Sequence, residues 1–181
     1  ICFDWKSSDE PRKKYACCIK RNKQVSIKSN HDGKIRANSN DRIMPSISEY
    51  KNFEVNSANL KHIRAFAREI FNKSEELKNY QEELVLALAE AAQNVVKHAY
   101  NNKPSTDTMK VEINYSEDGL LLIELFDKGK AAIPENIKPR NLDDVKAGGL
   151  GTFFIGQIMD QVIFKTSKVD WVNHLILKKQ F

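Results

Sequence analysis

Residues 83–100 read ELVLALAEAAQNVVKHAY, and this stretch decides the fold. Its apolar residues recur at helical spacing, yet Glu90, Asn94 and His98 follow one another at four-residue steps. Side chains spaced in this way fall on one stripe of a helix. A carboxylate and a carboxamide one turn apart, beside an apolar face, suit a base paired with a metal ligand. Glu90 can accept a proton or orient a nucleophile, and Asn94 can offer an oxygen to Mg2+. The competing reading is a solvated polar stripe on an amphipathic helix. The rest of the chain decides between the two.

Upstream, LKHIRAFAREIFNK places Leu60, Ile63, Phe66, Ala67 and Ile70 on one helical face, with Asn56 or Ser57 as the cap. A short strand at 50–55 precedes this helix, and a polar link at 74–79 joins it to the Glu90 helix. Downstream, Asn101-Asn102-Lys103-Pro104 stops that helix. Residues 109–115 alternate as a half-buried strand, Glu117-Asp118-Gly119 makes a hairpin turn, and LLLIELFD from Leu120 is a more fully buried strand. A polar loop at 128–147, the helix TFFIGQIMD from Thr152, and strands at 161–166 and 171–178 with a turn at 168–170 complete the order. This pattern predicts an α+β fold, a two-layer α/β sandwich whose mixed, mostly antiparallel sheet carries its helices on one face.

Two further features stand out. Asp127 ends an apolar strand, and a carboxylate buried there without a partner costs several kcal/mol, about what a lost ion pair costs. A ligand amino group, a loop amide or Lys128 can fill that role. Gly129 allows close approach of the backbone to a flat ligand, or a positive φ. Gly148-Gly149-Leu150-Gly151 opens the last helix, where amides and the helix dipole favour an anion. A flexible hinge is the alternative, and no Lys-Ser or Lys-Thr follows as in the usual phosphate loop.

Charge divides the chain. Residues 1–48 hold eleven Lys and Arg against five Asp and Glu, and the remainder eighteen against nineteen. The formal charge of +5 therefore belongs to the first quarter. We expect 1–48 to be a basic, disordered extension and 49–181 to be the folded domain. A folded domain near neutrality does not indicate direct nucleic-acid binding. The alternative for the extension is a tail that meets an acidic partner, a membrane surface or nucleic acid. Cys2, Cys17 and Cys18 all lie in it, with His31 the only histidine nearby, which suits neither a disulfide framework nor a zinc site. Reduced thiols point to a cytoplasmic protein, and no apolar run is long enough to span a bilayer.

The helical Glu-x-x-x-Asn, the strand-end Asp-x-Gly, the polar loop and the glycine-rich helix start occur in an order that resembles the ATP-binding fold of gyrase, mismatch-repair ATPases and histidine kinases, the Bergerat or GHKL fold. More closely, EAAQNVVKHAY with GGLGTFFIGQIMDQV resembles the bacterial anti-sigma factor serine kinases. The resemblance covers 49–181. It implies that Glu90 is the catalytic base and that Asn94 coordinates Mg2+ bridging the phosphates of ATP. Asp127 would accept a hydrogen bond from the adenine amino group, with Gly129 leaving the ring room. Gly148, Gly149, Leu150 and Gly151 would line the phosphates, residues 134–147 would form the lid, and Arg140 or Lys146 would reach a phosphate. His98 would make a structural hydrogen bond at the helix end.

The implied activity is that of an ATP- and Mg2+-dependent serine/threonine protein kinase. It would phosphorylate an anti-sigma factor antagonist of the STAS type, hold a sigma factor inactive, and form a homodimer. Three places depart from the family pattern, among them Ala132-Ile133, where a Phe or similar ring is common. Ala131 stands where a second glycine is common, and Asn173-His174-Leu175 where many relatives carry a threonine near the adenine. These favour the alternative, a non-catalytic GHKL-fold regulatory module that sequesters a partner. Catalysis by a histidine kinase is excluded, since HIRAF at His62 lacks the acidic residue and proline expected after an acceptor histidine.

Overall fold

Alternation along 109–115 and 120–127 produces two neighbouring antiparallel strands. In the computed structural model, which describes residues 2–4, 45–132, 150–168 and 170–181, β3 (Thr108–Ser116) buries Met109, Val111, Ile113 and Tyr115. β4 (Leu120–Asp127) buries Leu121, Ile123 and Leu125 on the same face. Its other face is half-buried at Leu120, Leu122 and Glu124, and the strand is buried on both faces at its end, Leu125 to Asp127. Gly119, at φ 79°, makes the turn between the two strands, a left-handed conformation that costs glycine least.

Three helices close the core over that face. α1 (Leu60–Phe71) buries Leu60, Ile63, Phe66, Ala67, Ile70 and Phe71. The cap falls on Asn56, whose side chain accepts a hydrogen bond from the Asn59 amide at 2.9 Å. α3 (Gln81–Asn94) buries Leu84, Val85, Ala87, Leu88, Ala89, Ala91 and Ala92, and α4 (Leu150–Ile158) contributes Ile155. All of these except Ala89 belong to one apolar cluster with Val111, Ile113, Leu121, Ile123, Leu125, Leu175 and Leu177 of the sheet. Each large aliphatic side chain buried there stabilises the fold by about 1.5–3 kcal/mol.

The strand order is β1-β5-β6-β4-β3-β2, with β1 (Cys2–Asp4), β2 (Pro45–Glu54), β5 (Gln161–Lys168) and β6 (Trp171–Gln180). Every pairing among these strands is antiparallel, which corrects the expectation of a mixed sheet. The physical reason is connectivity. Tight turns join β3 to β4 and β5 to β6, and such turns yield only antiparallel pairs. The crossover through α4 delivers β5 to the far side of β6, so β4 and β5 never meet. The α+β two-layer class itself is as expected.

Other differences concern polar segments. β2 begins at Pro45 rather than near residue 50. Its early residues carry no apolar pattern; the ladder to β3 holds them, aided by Ser48 Oγ donating to Asn114 Oδ1 at 2.7 Å and Ser46 Oγ to the Tyr115 carbonyl at 3.0 Å. β2 thus begins a few residues inside the segment expected to be an extension, and Cys2–Asp4 pair with β5 at the sheet edge. The polar link at 74–79 contains a short helix, α2 (Glu75–Asn79), anchored by the fully buried Leu77. Cys17, Cys18, His31 and residues 134–147 lie outside the described residues.

Candidate functional site

α3 does not end where its hydrogen bonding changes. From Val95 to Ala99 the chain continues as a π-helical turn, and Asn94 sits at the junction. Asn101 and Asn102, at φ 53° and 58°, then reverse the chain, with the Asn102 amide donating to the Val96 carbonyl at 2.9 Å. Successive left-handed residues are tolerated best by asparagine after glycine. Glu90 and Asn94 are both half-buried, at the border between the alanine-lined core face of α3 and solvent. His98 is exposed and has no side-chain hydrogen bond among the described residues, so the structural bond expected of it is not found. The π turn takes it off the i, i+4 register that the spacing implied.

Glu90 lies against the first turn of α4. A side chain at Gly151 would overlap the Glu90 Oε2 and would stand 3.2 Å from its Cδ. Glycine at this position lets the carboxylate rest on the helix start, where unpaired amides and the dipole favour negative charge. Leu150, the first residue of α4, is exposed. Gly148, Gly149, Arg140 and Lys146 lie outside the described residues.

Asp127 is 3% exposed, and no Lys or Arg pairs with it among the described residues. Its Oδ1 accepts from the Gly129 amide at 2.9 Å and from Asn173 Nδ2 at 2.8 Å. Neither bond engages Oδ2. Burial raises the Asp127 pKa above the ordinary aspartate value, the two hydrogen bonds oppose that rise, and the nearby Asp107 adds to it. The neighbouring Lys128 turns its Nζ over the Trp171 ring, 5.5 Å from the centroid.

Gly129 has a packing task that the sequence does not announce. It does not adopt positive φ; among the described glycines only Gly119 does. A Cβ there would lie 2.7 Å from Tyr100 Cε2 and 2.8 Å from Ala99 Cβ. The glycine lets the end of β4 settle onto the π turn, where the Lys130 amide donates to the Ala99 carbonyl at 3.0 Å. Its smallness thus serves the protein's own packing. Tyr100 completes the joint, its hydroxyl accepting from the Lys128 amide at 3.2 Å. Burial, followed by the Asp127 charge, pushes the Tyr100 pKa up to about 12.

The fold therefore sets Gly151 against Glu90 of α3, and Gly129, beside Asp127, against the turn that follows Asn94. Sequence alone assigns no role to Tyr100 or Asn173, both of which lie beside Asp127. Tyr100 stood in the quoted helix motif without a role, and Asn173 stood out only as a departure from the usual threonine. Their contacts join segments far apart in the sequence, which local spacing does not carry. The register of β4 on β6 sets Asp127 opposite Asn173 and Phe126 opposite His174, whose rings stack 4.2 Å apart.

Comparison with known proteins is decisive at this point. Residues 53–179 match the model of the histidine kinase-like ATPase domain. The chain belongs to that family. It is also 32% identical over 108 residues to the serine-protein kinase RsbW of Staphylococcus aureus strain MRSA252, a match covering 55% of this chain and 67% of that protein. The protein of the same name from strain Newman matches to the same extent.

A histidine kinase-like ATPase domain implies use of ATP. Among the described residues no three His, Cys, Asp or Glu side chains cluster to hold a metal. Mg2+ suits such a site, since it is commonly held by one or two protein oxygens, water and substrate phosphates. The open Oδ2 of a buried carboxylate suits an amino group. Among the described residues no helix is long and apolar enough to cross a membrane.

Proposed function

We propose that this protein is an ATP-dependent serine/threonine protein kinase acting as an anti-sigma factor. It phosphorylates an antagonist of the STAS type and works as a homodimer in a partner-switching circuit. The observation that carries the reading is the Glu90 carboxylate resting on the Gly151 backbone at the start of α4. A base is thereby held beside the helix terminus that suits the γ-phosphate. The name of the Staphylococcus aureus relatives, serine-protein kinase, supports the same reaction.

In this reading Asp127 Oδ2 accepts from the adenine amino group. Amides of Gly148, Gly149, Leu150 and Gly151, with Arg140 or Lys146, meet the phosphates. Asn94 offers its side-chain oxygen to Mg2+, which would neutralise charge on the phosphate oxygens. Glu90 takes the proton of the attacking serine or threonine hydroxyl. The hydroxyl oxygen then bonds to the γ-phosphorus as the bond to the β–γ bridging oxygen breaks, and ADP leaves. Such transfer rests mainly on positioning and charge stabilisation. Phosphate added to the antagonist places charge at the docking surface, releases the antagonist and frees the kinase for the sigma factor.

The test is calorimetric titration of ATP with Mg2+, followed by phosphate transfer from labelled ATP to a panel of STAS domains. Saturable ATP binding and transfer to serine or threonine are expected. ATP binding without transfer to any domain would favour the second reading, a sequestering module without catalysis, which Asn173 and Ala131 support.

A further inference from the structure

We propose that Asn173 is a specificity-determining positioning residue, which fixes Asp127 so that its Oδ2 accepts from the exocyclic amino group of the base and rejects a keto oxygen. The inference rests on the nucleotide reading above and deepens it.

Asn173 is buried and almost fully engaged. Its Nδ2 donates to Asp127 Oδ1 at 2.8 Å and to the Lys130 carbonyl at 3.0 Å, and its Oδ1 accepts from the Ala132 amide at 2.8 Å. Rotating the carboxamide by half a turn would set oxygen against a carboxylate and a carbonyl, and nitrogen against an N–H. All three contacts would be lost, so the network fixes the orientation. A threonine hydroxyl has one proton to donate and could serve one of the two acceptors. Asparagine ties the strand-end carboxylate to the backbone at both 130 and 132.

The consequence for a ligand follows from the charges around Asp127. Tyr100 faces it from the π turn, Asp107 from the segment before β3, the Gly129 amide from its own loop, and Asn173 from β6. None of these is a cation, and Lys128 leans onto Trp171. With Asn173 in place, two donors hold Oδ1 and keep the group an acceptor. Without it, one amide remains against burial and the Asp107 charge, and a protonated carboxyl becomes accessible. That form donates and matches a keto oxygen. Selectivity between amino and keto purines then relaxes.

The experiment compares binding of ATP and inosine triphosphate, each with Mg2+, to the parent and to Asn173→Ala, Asn173→Asp and Asn173→Thr, with circular dichroism as the folding check. The parent is expected to prefer ATP by about 10- to 100-fold, the scale of one hydrogen bond to a charged group. The Asp variant keeps the size and the Ala132 acceptor but sets a second carboxylate against Asp127, so it remains informative if the Ala variant does not fold. In whichever of the two folds, the preference should fall about 10-fold and become pH-dependent, while Thr, which can still donate to Asp127, retains it. Equal weakening of both nucleotides, with the ratio and its pH profile unchanged, would show a merely structural role and overturn the proposal. Failure of the parent to bind either nucleotide would instead overturn the nucleotide reading, and this inference with it.

Discussion

The Glu90 carboxylate occupies the space that a side chain at Gly151 would need. The overlap involves Oε2, the far end of a flexible side chain, so it can be relieved by rotation of Glu90 with little disturbance of the backbone. Gly151→Ala should therefore cost less than about 1 kcal/mol in stability while moving the carboxylate off the start of α4. Phosphate transfer should fall sharply and melting temperature barely change. Combining it with Glu90→Asp, which shortens the side chain, should relieve the overlap, giving a non-additive double-mutant cycle. Strict additivity in that cycle would mean that the two positions do not interact.

If Glu90 is the base, Glu90→Gln should keep its shape and lose its proton affinity. Transfer should drop by about 100- to 10,000-fold, the usual contribution of a positioned general base. ATP affinity, measured by calorimetry, should stay within a few-fold of the parent, since the adenine contact is assigned to Asp127. A parallel loss of binding and transfer would mean that Glu90 acts on the nucleotide rather than on the hydroxyl.

Gly129 offers the contrasting case. Its neighbours are the Ala99 Cβ and carbonyl oxygen and the Tyr100 ring, at 2.7–2.9 Å from a Cβ built there. Two of these belong to main chain or a Cβ and cannot swing away. Gly129→Ala should thus destabilise the protein by about 1–3 kcal/mol, the range for overpacking. It should also weaken ATP binding, because lifting the end of β4 removes the Gly129 amide from Asp127. Thermal unfolding and titration measure the two effects separately. A protein that melts like the parent would show that the π turn yields.

These contrasts explain which parts of the site were legible in the sequence. Glu90 and Asn94 could be read because polar residues at one helical stripe interrupt an apolar pattern, and Asp127 because a carboxylate ends an apolar strand. β3 could be read from alternation at 109–115. The residues around Gly129 could not, since a glycine that serves packing looks the same as one that serves a ligand. Asn173 acquires its role only through the β4–β6 register, which places it opposite Asp127 from 46 positions away. The start of β2 was hidden because backbone pairing and serine hydroxyls hold it, neither of which has a hydrophobic period. The π turn after Asn94 likewise depends on contacts with the end of β4 that no helical pattern announces.

Asp127 itself should cost the unliganded protein stability at neutral pH. Its folded pKa lies above the ordinary value of 3.8, with burial as the main cause. Between those two values the folded state binds more protons than the unfolded state, so stability falls as pH rises through that window and the penalty is complete above it. Asp127→Asn removes the charge. Its side-chain oxygen can still accept from the Gly129 amide and Asn173, while a donor replaces Oδ2. The variant should therefore melt at or above the parent's temperature near about pH 8, with the advantage shrinking toward about pH 4. It should also lose ATP, because an amide nitrogen would face the adenine amino group. Melting curves across pH without nucleotide, paired with calorimetry, test both halves. A variant less stable than the parent at neutral pH, with a gap that closes on acidification, would mean that the buried carboxylate is held by interactions stronger than its two hydrogen bonds.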